Sequence, residues 1–260
     1  MILEAQKTRE LILKASHQSG HGHIPTCFSI VEVLLSAYRI MHYDPQQPHW
    51  AERDIFILSK GHAALGLYSV LAQAGFFPTE DLVRFGAYNS CLGCHADRHK
   101  IPGVEWGTGS LGHGICAAVG MALGYKIQKT SQRVYVLIGD GESNEGSVWE
   151  ALMVAAHQKL NNLTIILDNN RSQGRCLPID RPLEKLQAFG FDTVECDGHD
   201  QEALEECLQR SGNQPHAIVA HTCKGYGCST LERDVYAWHR RSPNTEELEI
   251  LLGELHASAV

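Results

Sequence analysis

The sequence lacks long apolar runs, an excess of basic residues and the features of an exported protein. Without a run of about 18 apolar residues, a membrane-spanning helix is not expected. The formal net charge of −8 leaves no basic surface for nucleic acid. Charged residues occupy the N-terminal MILEAQKTRE, where a signal peptide would be apolar, so we expect a cytoplasmic protein. The nine cysteines are scattered through helix and strand patterns, which favours reduced thiols over a disulfide framework.

One cysteine pattern needs separate consideration, because Cys91, Cys94 and His95 have the C-x-x-C-H spacing. This spacing attaches haem in c-type cytochromes, a chemistry that normally requires export, and no export signal accompanies it here. A zinc site would use the two thiols with His95 or His99, yet no second C-x-x-C pair lies at a suitable distance. We therefore interpret the segment as a glycine-bearing loop in which the thiols are incidental.

The apolar pattern predicts one α/β domain over residues 1–260. A hydrophobic content of 43% and a charged content of 20% are typical of an ordinary globular protein. Five short apolar runs have the length of buried strands, at 54–59, 134–138, 163–167, 191–196 and 216–220. Helical patterns separate them, at 4–16, 29–40, 63–74, 79–85, 115–127, 182–189, 200–210 and 245–255. The alternation predicts a single doubly wound, mostly parallel sheet flanked by helices. Ser29 and Glu32 are predicted to form a capping box at the start of the second helix.

The most informative stretch is residues 134–174, which reads as a strand, a turn, a helix and a second strand. Asp140 follows the first strand within Gly139-Asp140-Gly141, and Asn170 follows the second. Parallel strands end at the same sheet edge, where open α/β sheets bind ligands, so Asp140 and Asn170 should lie side by side. A carboxylate and an amide oxygen suit a hard cation such as Mg²⁺, which typically brings a phosphate. The alternative is that Asp140 only shapes a tight turn.

Glycine- and histidine-rich loops precede several helices, among them SGH at 19–21, SKGH at 59–62 and GDGESNEG at 139–146. Together these motifs resemble the N-terminal, diphosphate-binding domain of transketolase. Gly139-Asp140-Gly141 followed by Asn169-Asn170 is similar to the thiamine diphosphate signature. The resemblance runs over nearly the full length in the family's order. Its segments are SGH at 19–21, SKGH at 59–62, PGVEWGTGSLGHG at 102–114, GDGESNEG at 139–146, LDNNRSQG at 167–174, and KGYG and WH near the end.

The resemblance implies a thiamine diphosphate site with a divalent cation, Mg²⁺ or another such as Ca²⁺ or Mn²⁺. Asp140 and Asn170 would bind the cation through their side chains, and Ser172 through its backbone carbonyl. Gly109 and Leu111 would contact the cofactor's aminopyrimidine. The full set of implied cofactor-binding positions is His62, Gly109, Ser110, Leu111, Gly139, Asp140, Gly141, Glu145, Asn170 and His239.

The implied catalytic residues are His21, His95, His239 and Glu145. Histidines of the family's channel hold the diphosphate and the substrate's hydroxyls, and they move protons at the carbonyl. Imidazole suits that task because its unperturbed pKa of roughly 6.5 lies near working pH. Glu145 matches a glutamate that joins a carboxylate network at the family's dimer interface; otherwise it is a first-turn acid favoured by the helix dipole. Three further histidines lie near these loops without a family match, namely His23, His99 and His113.

The family's reaction transfers a two-carbon ketol unit from a ketose to an aldose, and the cofactor supplies its central chemistry. A full transketolase continues with pyrimidine-binding and C-terminal domains, which carry the glutamate that activates the cofactor. This sequence matches only the first domain. We therefore expect the N-terminal subunit of a split transketolase, active only with a second subunit that carries the other domains, in an α₂β₂ assembly.

Two alternatives and the choice of sugar stay open. The chain could belong to a 1-deoxy-xylulose-5-phosphate synthase-like enzyme, which joins pyruvate to an aldehyde, or it could be a non-catalytic domain that retains cofactor binding. The family's S-G-H-P-G is S-G-H-G-H at 19–23, and its T-G-P-L-G-Q-G is T-G-S-L-G-H-G at 108–114. These changes lie where donor and cofactor ring would bind. A phosphorylated ketose, an apiose-type branched sugar and a sulfonated ketose all fit.

Overall fold

The computed structural model describes residues 3–257 and contains one parallel sheet of five strands. The strands are β1 (Ile55–Leu58), β2 (Val134–Gly139), β3 (Leu163–Asn169), β4 (Asp192–Asp197) and β5 (His216–His221). Their order in the sheet is β1-β2-β3-β5-β4, and every neighbouring pair is parallel. The five predicted strands are therefore present, and their ends lie within two residues of the predicted ones.

Helices cover both faces of the sheet, which confirms the predicted doubly wound architecture. The helices are α1 (Ala5–Ser19), α2 (Ile24–Phe28), α3 (Val31–Ile40), α4 (Ala64–Gln73), α5 (His113–Gln128), α6 (Gly146–His157), α7 (Pro182–Ala188), α8 (Gln201–Leu208), α9 (Ser229–Arg233) and α10 (Thr245–Ala257). Short 3₁₀ turns occur at Gly61–Ala63, Thr79–Arg84 and Glu142–Asn144. Within residues 3–257, no helix has the length and apolar character needed to cross a bilayer.

The sheet separates two apolar cores because successive strand side chains point to opposite faces. Tyr135 and Leu137 of β2 pack with α1 to α4 and α8 to α10 on one face. Val134 and Val136 of the same strand pack with α5, α6 and α7 on the other. All six positions of β2 are buried, as expected for a central strand of a parallel sheet covered on both sides.

The predicted capping box at Ser29 and Glu32 was wrong. The predicted helix 29–40 is preceded by a separate short helix, α2, and α3 begins at Val31 without a side-chain cap. The Ser29 hydroxyl lies 3.0 Å from both the Thr26 carbonyl and the Asp168 carboxylate. Glu32 instead forms a buried ion pair with Arg9, at 2.6 Å. Both side chains bind partners from elsewhere in the fold, which local sequence patterns do not reveal.

Candidate active site

The polar tips of β2 and β3 meet at the carboxyl edge of the sheet. Gly139 lies opposite Asp168 in the strand register, so the residues that follow, Asp140 and Asn170, come together. Ser172 bridges them: its hydroxyl donates to the Asp140 carboxylate at 3.0 Å, and its backbone N–H donates to the Asn170 side-chain oxygen at 3.0 Å. The Asp140 carboxylate and the Asn170 amide oxygen, brought together in this way, are hard oxygen donors of the kind that Mg²⁺ prefers. The Ser172 carbonyl, the third predicted ligand, accepts a hydrogen bond from the Tyr236 hydroxyl at 3.3 Å.

A polar cavity of about 210 Å³ opens beside these tips. Its lining combines the strand tips with residues of helix α2 and of the surrounding loops, and comprises Thr26, Lys60, His62, Leu111, Gly139, Asp140, Gly141, Glu142, Asn170, Ser172, Gln173, Lys224 and His239. A larger groove of about 590 Å³ lies beside Trp149 and Phe189, but it contains neither Asp140 nor Asn170. The smaller cavity is therefore the candidate active site, because the polar groups converge there.

A buried ion pair between Lys60 and Asp168 lies at the base of the cavity. Lys60 and Asp168 are in contact, and their side chains are only 1% and 0% exposed. Asp168 also accepts hydrogen bonds from the Thr222 hydroxyl and, at 2.7 Å, from the Asn170 side-chain nitrogen. The Asn170 nitrogen thus faces Asp168, and its oxygen is left to face Ser172. The buried carboxylate in this way orients a predicted metal ligand.

Lys224 brings a second cationic group to the cavity, and sequence reasoning assigned it no role. Its ammonium lies 3.2 Å from Nδ1 of His239. Burial, with the nearby charge of Lys60, lowers the pKa of Lys224 to about 8. An anion in the cavity, such as a diphosphate, would therefore be attracted by the two lysine side chains that line it. The KGYG motif that contains Lys224 was the available signal.

The structure gathers His23, His62 and His239 into one cluster. The His23 ring centroid lies 5.4 Å from that of His62 and 5.2 Å from that of His239. His21 lies elsewhere: its ring packs on Phe85, and its Nδ1 is 3.6 Å from the Cys94 sulfur. His21 had been assigned by matching S-G-H directly. In the family motif a proline comes directly after the histidine; here the nearest proline, Pro25, lies two residues after His23 and four after His21.

Burial lowers the pKa of each of the three clustered imidazoles. Burial, followed by the charge of His239, lowers the pKa of His23 to about 4. Burial and the charge of Lys60 lower the pKa of His62 to about 2. The pKa of His239 is lowered by burial and then by Lys224. The reference pKa of free imidazole therefore does not apply to them; an imidazole in the neutral form offers one hydrogen-bond donor and one acceptor.

The loop predicted to face the cofactor's aminopyrimidine ring carries Gly109, Ser110 and Leu111. Gly109 has φ +152°, and a Cβ there would lie 3.6 Å from the His95 ring, so His95 packs against this backbone. Leu111 lines the cavity, whereas Ser110 is exposed. At Gly141 the missing side chain lets the Gln173 side chain approach the backbone, since a Cβ there would lie 2.5 Å from the Gln173 amide nitrogen.

The two glutamates of the GDGESNEG segment have opposite environments. Glu145 is exposed and lies directly before α6. Glu142 is 2% exposed, and its carboxylate accepts hydrogen bonds from the Ser59 hydroxyl and from the N–H groups of Gly112 and Gly139. Burial raises the pKa of Glu142, and these hydrogen bonds oppose that effect. Sequence reasoning singled out Glu145 and did not identify Glu142.

Comparison with known proteins gives consistent matches over almost the whole chain. Residues 3–249 match the family described as transketolase, thiamine diphosphate binding domain. The chain is 41% identical to one of the subunits of the apulose-4-phosphate transketolase of Actinobacillus succinogenes, covering 97% of this chain and 94% of that protein. It is 39% identical to the 6-deoxy-6-sulfo-D-fructose transketolase subunit SqwG of a Clostridium species, covering 88% and 86%. The solved transketolase of Leishmania mexicana has a TM-score of 0.85 and 29% identity, covering 97% of this chain but only 40% of that one.

Proposed function

The chain belongs to the transketolase family, and from that premise we propose that it is the diphosphate- and metal-binding subunit of a two-subunit transketolase. The complex transfers a two-carbon ketol unit from a ketose to an aldose. The observation that carries the proposal is the convergence of Asp140 and Asn170 on a cavity lined by lysine and histidine side chains. Residues 1–260 act in it as one cofactor-binding domain.

The side chains of the cavity fit thiamine diphosphate with Mg²⁺. Asp140, Asn170 and the Ser172 carbonyl would bind the cation, which would in turn hold the diphosphate. Lys224 would neutralise part of its negative charge. When bound, the cofactor supplies the activated carbon that breaks and forms bonds beside a carbonyl. The loop that carries Gly109 would face the cofactor's ring.

The chain's own contribution is to orient groups and to handle protons. Asp168 and Lys60 hold Asn170 in the orientation that presents its oxygen. His23 and His239 would accept and return protons at the substrate's carbonyl and hydroxyl oxygens. Such positioned proton transfer contributes about 10²-fold to 10⁴-fold in rate in other enzymes.

A second polypeptide would complete the active site. Two relatives that this chain covers over most of their length, 94% and 86%, are transketolase subunits by name. We assign the pyrimidine-binding and C-terminal domains to that partner, together with the glutamate that activates the cofactor, in an α₂β₂ complex. The names of those relatives, apulose-4-phosphate and 6-deoxy-6-sulfo-D-fructose transketolase, refer to sugars that carry a phosphate or a sulfonate. We therefore propose an anionic ketose as the donor.

The proposal is tested with a complex isolated through a tag on this chain from its own cells. We expect ketol transfer with thiamine diphosphate and Mg²⁺ from the complex, and none from the purified chain alone. Robust turnover by the chain alone would contradict the split-enzyme assignment. In the same assay, pyruvate in place of a ketose separates the proposal from the 1-deoxy-xylulose-5-phosphate synthase-like alternative. A complex that binds cofactor but turns over neither donor would support the non-catalytic alternative.

Replacing His23 with alanine should lower ketose turnover by about 10²-fold, because the cluster loses a group that handles protons. The affinity for thiamine diphosphate should change little, since the metal site and Lys224 are intact. The matched variant is His21→Ala, which removes an imidazole two residues away that packs on Phe85. Steady-state kinetics of both complexes measure the effect. A larger loss in His21→Ala than in His23→Ala would return the catalytic role to His21.

A further inference from the structure

Glu142 links three segments that are far apart in the sequence. Its carboxylate accepts hydrogen bonds from the Ser59 hydroxyl after β1, from the Gly112 N–H before α5 at 2.8 Å, and from the Gly139 N–H at the end of β2 at 3.2 Å. A carboxylate that is 2% exposed requires such donors to offset its lost hydration. The three segments are therefore held at fixed distances from one carboxylate.

The groups around this carboxylate are held in place by further hydrogen bonds. The Ser59 hydroxyl also accepts a hydrogen bond from the Ile115 N–H at 3.1 Å. The Gly112 carbonyl accepts one from the Ser147 hydroxyl at 3.0 Å. Gly112 has φ +77°, and a Cβ there would lie 2.3 Å from the Ser147 oxygen. The turn before α5 is thus fixed on its N–H side by Glu142 and on its carbonyl side by Ser147.

The linked segments carry the two halves of the cofactor site. Gly139 directly precedes Asp140 of the metal-binding tip, and Gly112 directly follows Leu111 of the ring-binding loop. We propose that Glu142 is a positioning residue that sets the spacing between the metal-and-diphosphate half and the ring half of the cofactor site. This inference rests on the proposed function, because it concerns how the same site holds its cofactor.

The substitution Glu142→Gln isolates this role. One carboxylate oxygen, Oε1, faces the Gly112 N–H, and the other, Oε2, faces the Gly139 N–H. A glutamine has the same shape but only one acceptor oxygen. In either orientation its NH₂ group opposes a backbone N–H, so one of the two halves loses its link to the other.

The test is calorimetric titration of the complex with thiamine diphosphate and, separately, with inorganic pyrophosphate, both at saturating Mg²⁺. Pyrophosphate uses only the metal-and-diphosphate half, whereas the whole cofactor uses both halves. In Glu142→Gln we expect about a tenfold loss of thiamine diphosphate affinity and less than about a threefold loss for pyrophosphate. A residue that only stabilises the fold would leave the ratio of the two affinities unchanged, and that result would overturn the inference.

Two further variants keep the test decisive. Ser59→Ala removes one donor without adding another, and should shift the same ratio in the same direction by a smaller amount; it replaces Glu142→Gln if that variant does not fold. Glu150→Gln, an exposed position on α6, should leave both affinities unchanged. If the wild-type complex binds neither ligand, the proposed function fails and the inference fails with it. If the wild type binds both and no variant changes the ratio, only the role of Glu142 is refuted.

Discussion

Replacing Asp140 with alanine is expected to abolish Mg²⁺-dependent binding of thiamine diphosphate, and with it ketol transfer. Asp140 provides the one carboxylate among the three proposed metal ligands, so its loss removes the charge that offsets the dication. Its oxygens also accept hydrogen bonds from the Ser172 hydroxyl and from the Gln173 N–H at 3.2 Å. Alanine would therefore release the loop that carries the carbonyl ligand. Because even groups that only orient metal ligands are worth about 10-fold to 100-fold in affinity, we expect a loss above 100-fold.

The measurement is calorimetric titration of the complex with cofactor at several Mg²⁺ concentrations. Asp140→Asn separates charge from shape, since it retains one oxygen in place but carries no charge; we expect it to bind the metal weakly. Asp180→Ala is the matched control, because Asp180 is an exposed carboxylate at the far end of the same loop. Cofactor affinity that stays within about threefold of wild type in Asp140→Ala would refute the metal assignment.

The position of Asp140 could be predicted because the signals that determine it are local. A short apolar run ending in Gly139-Asp140-Gly141 defines the end of a strand, and parallel pairing places the next strand end beside it. The observed register, Gly139 opposite Asp168, requires no information from outside this βαβ unit. The five strands were predictable for the same reason, because each has its own apolar run.

The residues that were missed depend on contacts between distant segments. His21 and His23 differ by two positions, and which of them enters the cluster depends on the turn at Gly22, with φ +145°, that leads into α2. Glu142 looks like any acidic residue at the start of a helix until Ser59 and Gly112 surround it. Lys224 reads as part of a glycine-rich loop. Periodicity reports which face a residue occupies, but it does not report which polar partner meets it there.

Replacing Asp168 with asparagine is expected to cause the largest loss of stability, because it leaves the Lys60 ammonium buried without a counter-charge. Removing one partner of a buried pair typically lowers the free energy of unfolding by about 3–5 kcal/mol. For a chain of this size that corresponds to a fall of about 10 °C in the melting temperature. Urea denaturation of the purified chain measures the first quantity and calorimetry the second. The reciprocal variant Lys60→Met should lose a similar amount, because it leaves Asp168 uncompensated.

The double variant Lys60→Met with Asp168→Asn distinguishes the pair from two independent residues. The double variant removes both charged groups, so no unpaired charge stays buried. Its loss of unfolding free energy should therefore be smaller than the sum of the two single losses. Arg181 and Glu184 form the control pair; both are exposed, so Glu184→Gln should change the free energy of unfolding by less than about 0.5 kcal/mol. A loss below about 1 kcal/mol in Asp168→Asn would show that the pair contributes little to stability.

Asp168 also holds the nitrogen of Asn170, so any of its variants that folds should bind Mg²⁺ more weakly as well. The same buried carboxylate therefore stabilises the sheet edge and orients the ligand above it. For this reason stability and metal affinity should fall together in variants of Asp168, whereas in variants of Asp140 the two should not be coupled in this way.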